Sequence, residues 1–430
     1  MDASQYRYNE LGMLTDSGLS ASWRGKLAVA AVSLLLASTA GWLWWRSREP
    51  VETVRLVDVR DDVVPLLRKR SEEAARRTSR AAGDGTEDGT GAESAVGLLR
   101  EPIDEATARK LFPTLQGTRT TWDPDCFFRY LGPRRLPMKF GEHPAGTFPV
   151  VTNALGMRED DEPLAEPPDL RVLVTGDSHT DGVCPNEESF ANVLEASLAA
   201  RAPGRVVECL NAGTGGYGPY HYVGVFERLK HLAPDVFVVA LYGGNDFADG
   251  LVLQRYFHRR PPAAFGPHKP RPLMENGGPF KSWAAQDLLQ VTYFLNNPSD
   301  VAVAGEVACD VADELERQCA EVGTELICVY VPPPSRGQPH RFEVGLRAAT
   351  EILGVDPEVD LVSDRIADAW LAHLAERGIA HLDLRPAFRE TEEVLYWRSD
   401  LHLSTAGHRK VAELLEPLVA PLLEDAAAAR

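Results

Sequence analysis

The sequence predicts an α/β fold: a parallel sheet covered by helices on both faces, preceded by one transmembrane helix and a small β-rich extension. Three observations predict it. Five short apolar runs recur from residue 171 onward, amphipathic stretches separate most of them, and one uncharged segment lies near the N-terminus. Strands that alternate with helices imply crossover connections. A crossover sheet buries both faces, so its strands read as continuous apolar runs.

The uncharged segment comes first in the chain. Residues 27–45, "LAVAAVSLLLASTAGWLWW", lie between Arg24 and Lys26 on one side and Arg46 and Arg48 on the other. A helix spanning a bilayer needs about 20 apolar residues, and Trp42, Trp44 and Trp45 suit an interfacial belt. A cleaved signal peptide is the competing reading, but the run is long for one, and bulky Trp stands where a cleavage site needs small residues. The expectation is a single-pass membrane anchor with residues 1–26 as a cytoplasmic tail. Basic residues flank both ends, so charge alone does not orient it. The large remainder of the chain is expected on the extracytoplasmic side.

Residues 46–100 read as a juxtamembrane segment and flexible linker, because 71–97 is dominated by Gly, Ala, Ser, Thr and charged residues and cannot form a core. Residues 101–170 differ. Trp122, Phe127, Phe128, Tyr130, Phe140 and Phe148 can pack, and with "GTFPVVTNALGMRE" they suggest the β-rich extension.

The main domain is expected over 171–424. Its strands are read at Val172–Thr175, Val206–Leu210, Val236–Leu241, Leu326–Val331 and Ile379–Leu384. "EESFANVLEASLAARA" and "SDRIADAWLAHLAERG" supply helices between them. Residues 247–297 interrupt the pattern, since "RRPPAAFGPHKPRPLMENGGPF" is too rich in Pro and Gly for a regular element. A loop that long in a compact domain is more often functional than accidental.

Charge and cysteines exclude some functions. A formal net charge of -18 argues against a nucleic-acid partner, which needs a basic face. The six cysteines, Cys126, Cys184, Cys209, Cys309, Cys319 and Cys328, show no C-x-x-C spacing and so no common zinc site. In an extracytoplasmic domain one or two disulfides could form, but buried free thiols are the more common reading. No metal or other cofactor is expected.

Four polar clusters fall at the ends of the predicted strands or before the last helix. They are Gly176-Asp177-Ser178-His179, then "NAGTGGYG" with Gly216, then Gly243-Gly244-Asn245-Asp246, and finally "SDLHL" with Asp400 and His402. Each alone is ordinary turn material. Together their chemistry is complementary. A serine hydroxyl needs a neighbouring base to become a nucleophile. His402 can be that base and Asp400 can hold its other ring nitrogen. The oxyanion formed on attack needs fixed donors, which the backbone N–H groups of Ser178 and Gly216 and the amide of Asn245 can supply. His179 and Asp246 are expected to contact substrate, and Asp177 to bond amides in its own turn.

In these four blocks the sequence resembles the SGNH, or GDSL-type, hydrolase superfamily over roughly residues 171–424. The resemblance implies a flavodoxin-like three-layer α/β/α domain, with Ser178 as nucleophile, His402 as base, Asp400 as orienter, and Ser178, Gly216 and Asn245 as the oxyanion hole. It departs from the usual pattern in the last block. The spacing is Asp400-x-His402 where Asp-x-x-His is common, and Ser399 stands at the usual Asp position. The shorter spacing is similar to the alginate O-acetyltransferase branch. Ser399 is therefore a rival candidate for holding His402.

Three functions are weighed on this basis. The first is a membrane-anchored serine esterase removing a short acyl group, such as acetyl, from cell-envelope carbohydrate. The second is an O-acyltransferase that passes the acyl group to a polysaccharide hydroxyl, with a membrane acyl-donor protein as partner. The third is a non-catalytic envelope scaffold, which retention of Ser178, Asn245, Asp400 and His402 argues against.

Overall fold

The structure is a computed structural model in which residues 98–260, 286–342 and 361–428 are described. The transmembrane helix expected over 27–45, the tail before it and the linker up to residue 97 lie outside the described residues. Among the described residues, no helix is long and apolar enough to cross a membrane.

Nine strands are formed among the described residues. β5 (Leu170–Gly176), β6 (Val207–Asn211), β7 (Val236–Tyr242), β8 (Glu325–Val331) and β9 (Ala380–Asp383) make one sheet in the order β6-β5-β7-β8-β9. Every pairing in it is parallel. All five correspond to the apolar runs of the sequence. β5 and β7 are buried at every position, which is why they read as unbroken apolar stretches instead of alternating ones.

The two faces bury different side chains, as strand alternation requires. Leu173, Leu210, Phe237, Val239, Leu241 and Tyr330 face a core built with the helices Pro219–Leu229, Asp246–Phe257, Asp300–Val322 and Leu361–Arg377. Val172, Val174, Val238, Ala240, Ile327 and Val329 face the helices Phe190–Arg201, Arg385–Glu390 and Thr405–Ala428. The domain thus has three layers, and each fully buried Val, Leu or Phe contributes about 1.5–3 kcal/mol. Ser189 starts the helix Phe190–Arg201 by accepting from the Asn192 N–H.

The extension is two antiparallel hairpins, β1 (Thr120–Asp123) with β2 (Phe127–Tyr130) and β3 (Arg134–Lys139) with β4 (Thr147–Thr152). A helix, Glu105–Leu111, precedes them, capped by the Asp104 carboxylate on the Thr107 N–H. Ile103, Phe112, Phe127 and Phe128 join the core of the first face. The extension is therefore built into the domain.

One expectation needs correction. The interruption over 247–297 is helical at both ends, in Asp246–Phe257 and Gln286–Asn296. Asp246 opens the first helix, and Phe247, Leu251, Leu253 and Phe257 give it an apolar face that the Pro-rich text beyond it masked. The cysteines follow the preferred reading: all six are free and buried, and no disulfide forms among them.

Candidate active site

Ser178 stands where β5 ends, on an interior strand of the sheet between β6 and β7. Gly176 is required there by close approach: a Cβ would lie 2.1 Å from Thr180 Oγ1 and 2.7 Å from the Ala240 carbonyl oxygen. The chain turns sharply, and Asp177 caps the turn as expected, its carboxylate accepting from the His179 N–H at 2.8 Å. This leaves Ser178 as the first residue of a four-residue helical turn, Ser178–Asp181.

Across 224 positions of sequence, His402 meets it. His402 Nε2 lies 2.8 Å from Ser178 Oγ, and His402 Nδ1 lies 2.5 Å from Asp400 Oδ1. The competing partner of the hydroxyl, Asp177 Oδ2, is farther away at 3.4 Å. The three predicted residues thus form one hydrogen-bonded row. Burial disfavours charge on the imidazole, but the Asp400 hydrogen bond and the charges of Asp400, Asp177 and Asp181 outweigh it. They hold the His402 pKa above its ordinary value.

The short spacing closes through the backbone of Leu401, which adopts φ +65°. Leu401 N–H donates to the Trp397 carbonyl, Trp397 N–H donates to that of His402, and Tyr396 bridges Leu403. This tight turn sets residues 400 and 402 on one side. Ser399 does not reach the histidine. Its hydroxyl donates to Glu142, so the rival orienter is otherwise engaged.

The expected oxyanion donors lie at adjacent strand ends. Thr214 N–H donates to the Gly176 carbonyl at 3.2 Å, bringing the Gly-rich loop after β6 against the serine turn. A Cβ at Gly215 would sit 3.7 Å from Ser178 Cβ. Gly216 follows at φ +89°, a conformation glycine alone adopts freely. No acceptor among the described residues takes its N–H. Asn245 follows β7. Its Nδ2 donates to Asp249 Oδ2 at 2.7 Å, which leaves one N–H of the amide free to donate.

His179 and Asp246 do not line the site, contrary to expectation. Both are buried. The His179 ring stacks on Tyr242 with centroids 3.7 Å apart and lies 4.7 Å from the His402 ring. Burial and the neighbouring His402 and His408 push its pKa well down, so it is a neutral platform and no competing base. Asp246 accepts from the Tyr222 hydroxyl at 2.6 Å and from the Tyr242 N–H at 2.8 Å. Burial raises the pKa of both Asp246 and Asp177. These carboxyls support the floor of the site.

Sequence reasoning missed the extension's part in the site. Arg158 is fully buried and donates to Asp181 Oδ1 at 2.6 Å, to Asn186 Oδ1 at 3.0 Å and to the carbonyls of Asp181, Gly182 and Cys184. Tyr130 donates its hydroxyl to Asp181 Oδ2 at 2.6 Å. Thr114 and Phe128 approach Gly216, with Thr114 Oγ1 3.1 Å from where a Cβ would be. The available signal was an Arg-Glu pair, Arg158-Glu159, at the end of an otherwise apolar segment.

A three-layer α/β domain that sets serine, histidine and aspartate in one hydrogen-bonded row has the arrangement of enzymes that cleave acyl esters with serine. The profile of the GDSL-like Lipase/Acylhydrolase family matches residues 174–410, more than half of the chain. The chain belongs to that family and is a hydrolase acting on ester bonds. It is similar to the solved structure of LAE5, an α/β hydrolase from the metagenome of Lake Arreo, Spain, at 17% identity. That match covers 59% of this chain and 96% of the other, with a TM-score of 0.36. A lipase/acylhydrolase from Enterococcus faecalis matches at 15% identity over 59% and 96% of the two chains, with a TM-score of 0.34. A catalytic mutant of Axe2, an acetylxylan esterase from Geobacillus stearothermophilus, matches at 16% over 59% and 94%, with a TM-score of 0.33. No curated protein matches the chain.

Proposed function

We propose that the protein is a serine esterase that removes short acyl groups, such as acetyl, from cell-envelope carbohydrate through Ser178, His402 and Asp400. The observation that carries this reading is the row Ser178 Oγ to His402 Nε2 at 2.8 Å and His402 Nδ1 to Asp400 Oδ1 at 2.5 Å. In the proposed step, His402 Nε2 takes the hydroxyl proton as Ser178 Oγ bonds to the ester carbonyl carbon. The negative oxygen is held by the N–H groups of Ser178 and Gly216 and the amide of Asn245. Collapse expels the alcohol, which receives the proton from His402, and leaves an acyl-serine. Water, activated by the same histidine, then releases the acid.

A second reading is favoured by one observation, the Asp400-x-His402 spacing. In it a polysaccharide hydroxyl replaces water and the enzyme is an O-acyltransferase supplied by a membrane acyl-donor protein. In both readings residues 27–45 anchor the chain in the membrane, residues 1–26 are cytoplasmic and the catalytic domain is outside. The apolar run supports the anchor, and the location of envelope esters supports the orientation. One experiment separates the two chemistries: the detergent-purified protein with p-nitrophenyl acetate, with and without an oligosaccharide acceptor. The esterase reading expects free acetate under both conditions. Acetylated sugar would establish the transferase, and no difference from Ser178→Ala would defeat both.

A further inference from the structure

The turn that carries Asp400 and His402 is strained and only partly self-supporting. Leu401 occupies the left-handed region, which a non-glycine residue rarely adopts. Its own hydrogen bonds join Leu401 to Trp397 and Trp397 to His402. They bypass the amides of Arg398 and Ser399. Backbone strain persists only where surrounding structure over-determines it, so something outside the turn must hold it.

That support comes from the tip of the β3–β4 hairpin, more than 250 residues away in sequence. One carboxylate, Glu142, accepts from Arg398 N–H at 2.6 Å, from Ser399 N–H at 3.0 Å and from the Ser399 hydroxyl. Hydrogen bonds to an ionised acceptor are roughly twice as strong as neutral ones. The neighbouring tip residues grip the same turn. Phe140 meets Trp397 edge-on with ring centroids 5.3 Å apart, and His143 does so at 6.0 Å. His143 is itself held by Glu188, at 2.9 Å from Nε2, and receives the Ala145 N–H on Nδ1.

We infer that Glu142 is a positioning residue for the reaction: it holds the Arg398–Ser399 backbone so that Asp400 and His402 stay aligned on Ser178. This rests on the reading of Ser178, His402 and Asp400 as the reacting row. Glu142 bonds Arg398 and Ser399 and none of the reacting atoms of Ser178, His402 or Asp400. It acts through the turn, and the extension is thereby part of the catalytic apparatus.

A misplacement of about 1 Å can lower a rate by about 10²-fold. Glu142→Ala in the full-length protein is therefore expected to lower kcat on p-nitrophenyl acetate by about 10²-fold while leaving KM and the thermal midpoint close to wild type. Glu142→Gln, which keeps one acceptor oxygen, should lie between the two. The pH–rate profile distinguishes positioning from general weakening. The charged and titratable groups facing His402 are Asp400, Asp177, Asp181, His179 and, more remotely, His408. If the turn slackens, Asp400 no longer supports the imidazolium, and the acid limb of the profile should move to lower pH. Ser178→Ala runs in parallel. If Ser178→Ala is inactive while Glu142→Ala matches wild type in kcat and profile, the role of Glu142 is refuted and the reacting row stands. If Ser178→Ala remains active, the row itself fails. A fall in kcat that only follows a lowered thermal midpoint, with an unmoved acid limb, also overturns the positioning role.

Discussion

Asp400 Oδ1 lies 2.5 Å from His402 Nδ1 with a single residue between them in sequence. The left-handed Leu401 backbone makes this pairing geometrically available, and it leaves Ser399 facing away, toward Glu142. Only a carboxylate stabilises the charge that forms on the imidazole during attack. Asp400→Asn should keep the shape but favour the wrong tautomer, at a loss of about 10⁴ in rate. Ser399→Ala should fall much less. Steady-state rates of the two variants on p-nitrophenyl acetate check this, and the reverse order would transfer the orienting role to Ser399.

The backbone of the turn offers a separate test. A β-branched residue at positive φ is a genuine outlier, whereas glycine adopts it freely. Leu401→Val should lose most activity by pushing the turn out of shape, and Leu401→Gly should keep far more. Equal rates in the two variants would mean that the left-handed residue does not set the alignment.

His402 must be neutral to accept the serine proton. Its pKa is held above the ordinary value of 6.5, with the Asp400 hydrogen bond the largest raising influence against burial. Activity should therefore fall as pH drops through a midpoint above 6.5, the fraction of neutral imidazole setting the limb. Asp400→Asn should bring that midpoint down. A wild-type limb below 6.5 would contradict the electrostatic environment described for His402.

Arg158 makes a stability prediction. Its guanidinium is fully buried and neutralises Asp181 at 2.6 Å beside the serine turn. Removing one partner of a buried pair strands the other, at roughly 3–5 kcal/mol. Arg158→Met should lower the unfolding free energy in urea by about that amount. A loss under about 1 kcal/mol would place the pair among those that add little.

The sheet was legible because its inner strands are buried on both faces, and burial on both faces leaves an unmistakable apolar run such as Val236–Tyr242. The reacting residues were legible for a related reason. Ser178 and Asn245 are polar groups placed just past apolar strands and Asp400 and His402 just before the last helix, where turn chemistry alone explains each but not the set. What stayed hidden depends on contacts distant in sequence. Nothing local to Glu142 announces that it will bind Ser399, and nothing in Arg158 announces Asp181. Asp246 and His179 misled for the opposite reason: they sit in the right blocks, but their side chains turn inward against Tyr222 and Tyr242. The helix Asp246–Phe257 was obscured by the Pro-rich text that follows it.

The most direct test of the central claim is to treat the protein with a fluorophosphonate, locate the adduct by mass spectrometry, and assay Ser178→Ala for p-nitrophenyl acetate hydrolysis. The reacting row predicts one adduct, on Ser178, and a variant that folds normally but loses rate on the order of 10⁶-fold. An adduct on another residue, or a folded Ser178→Ala that keeps more than about a tenth of the wild-type rate, would contradict it.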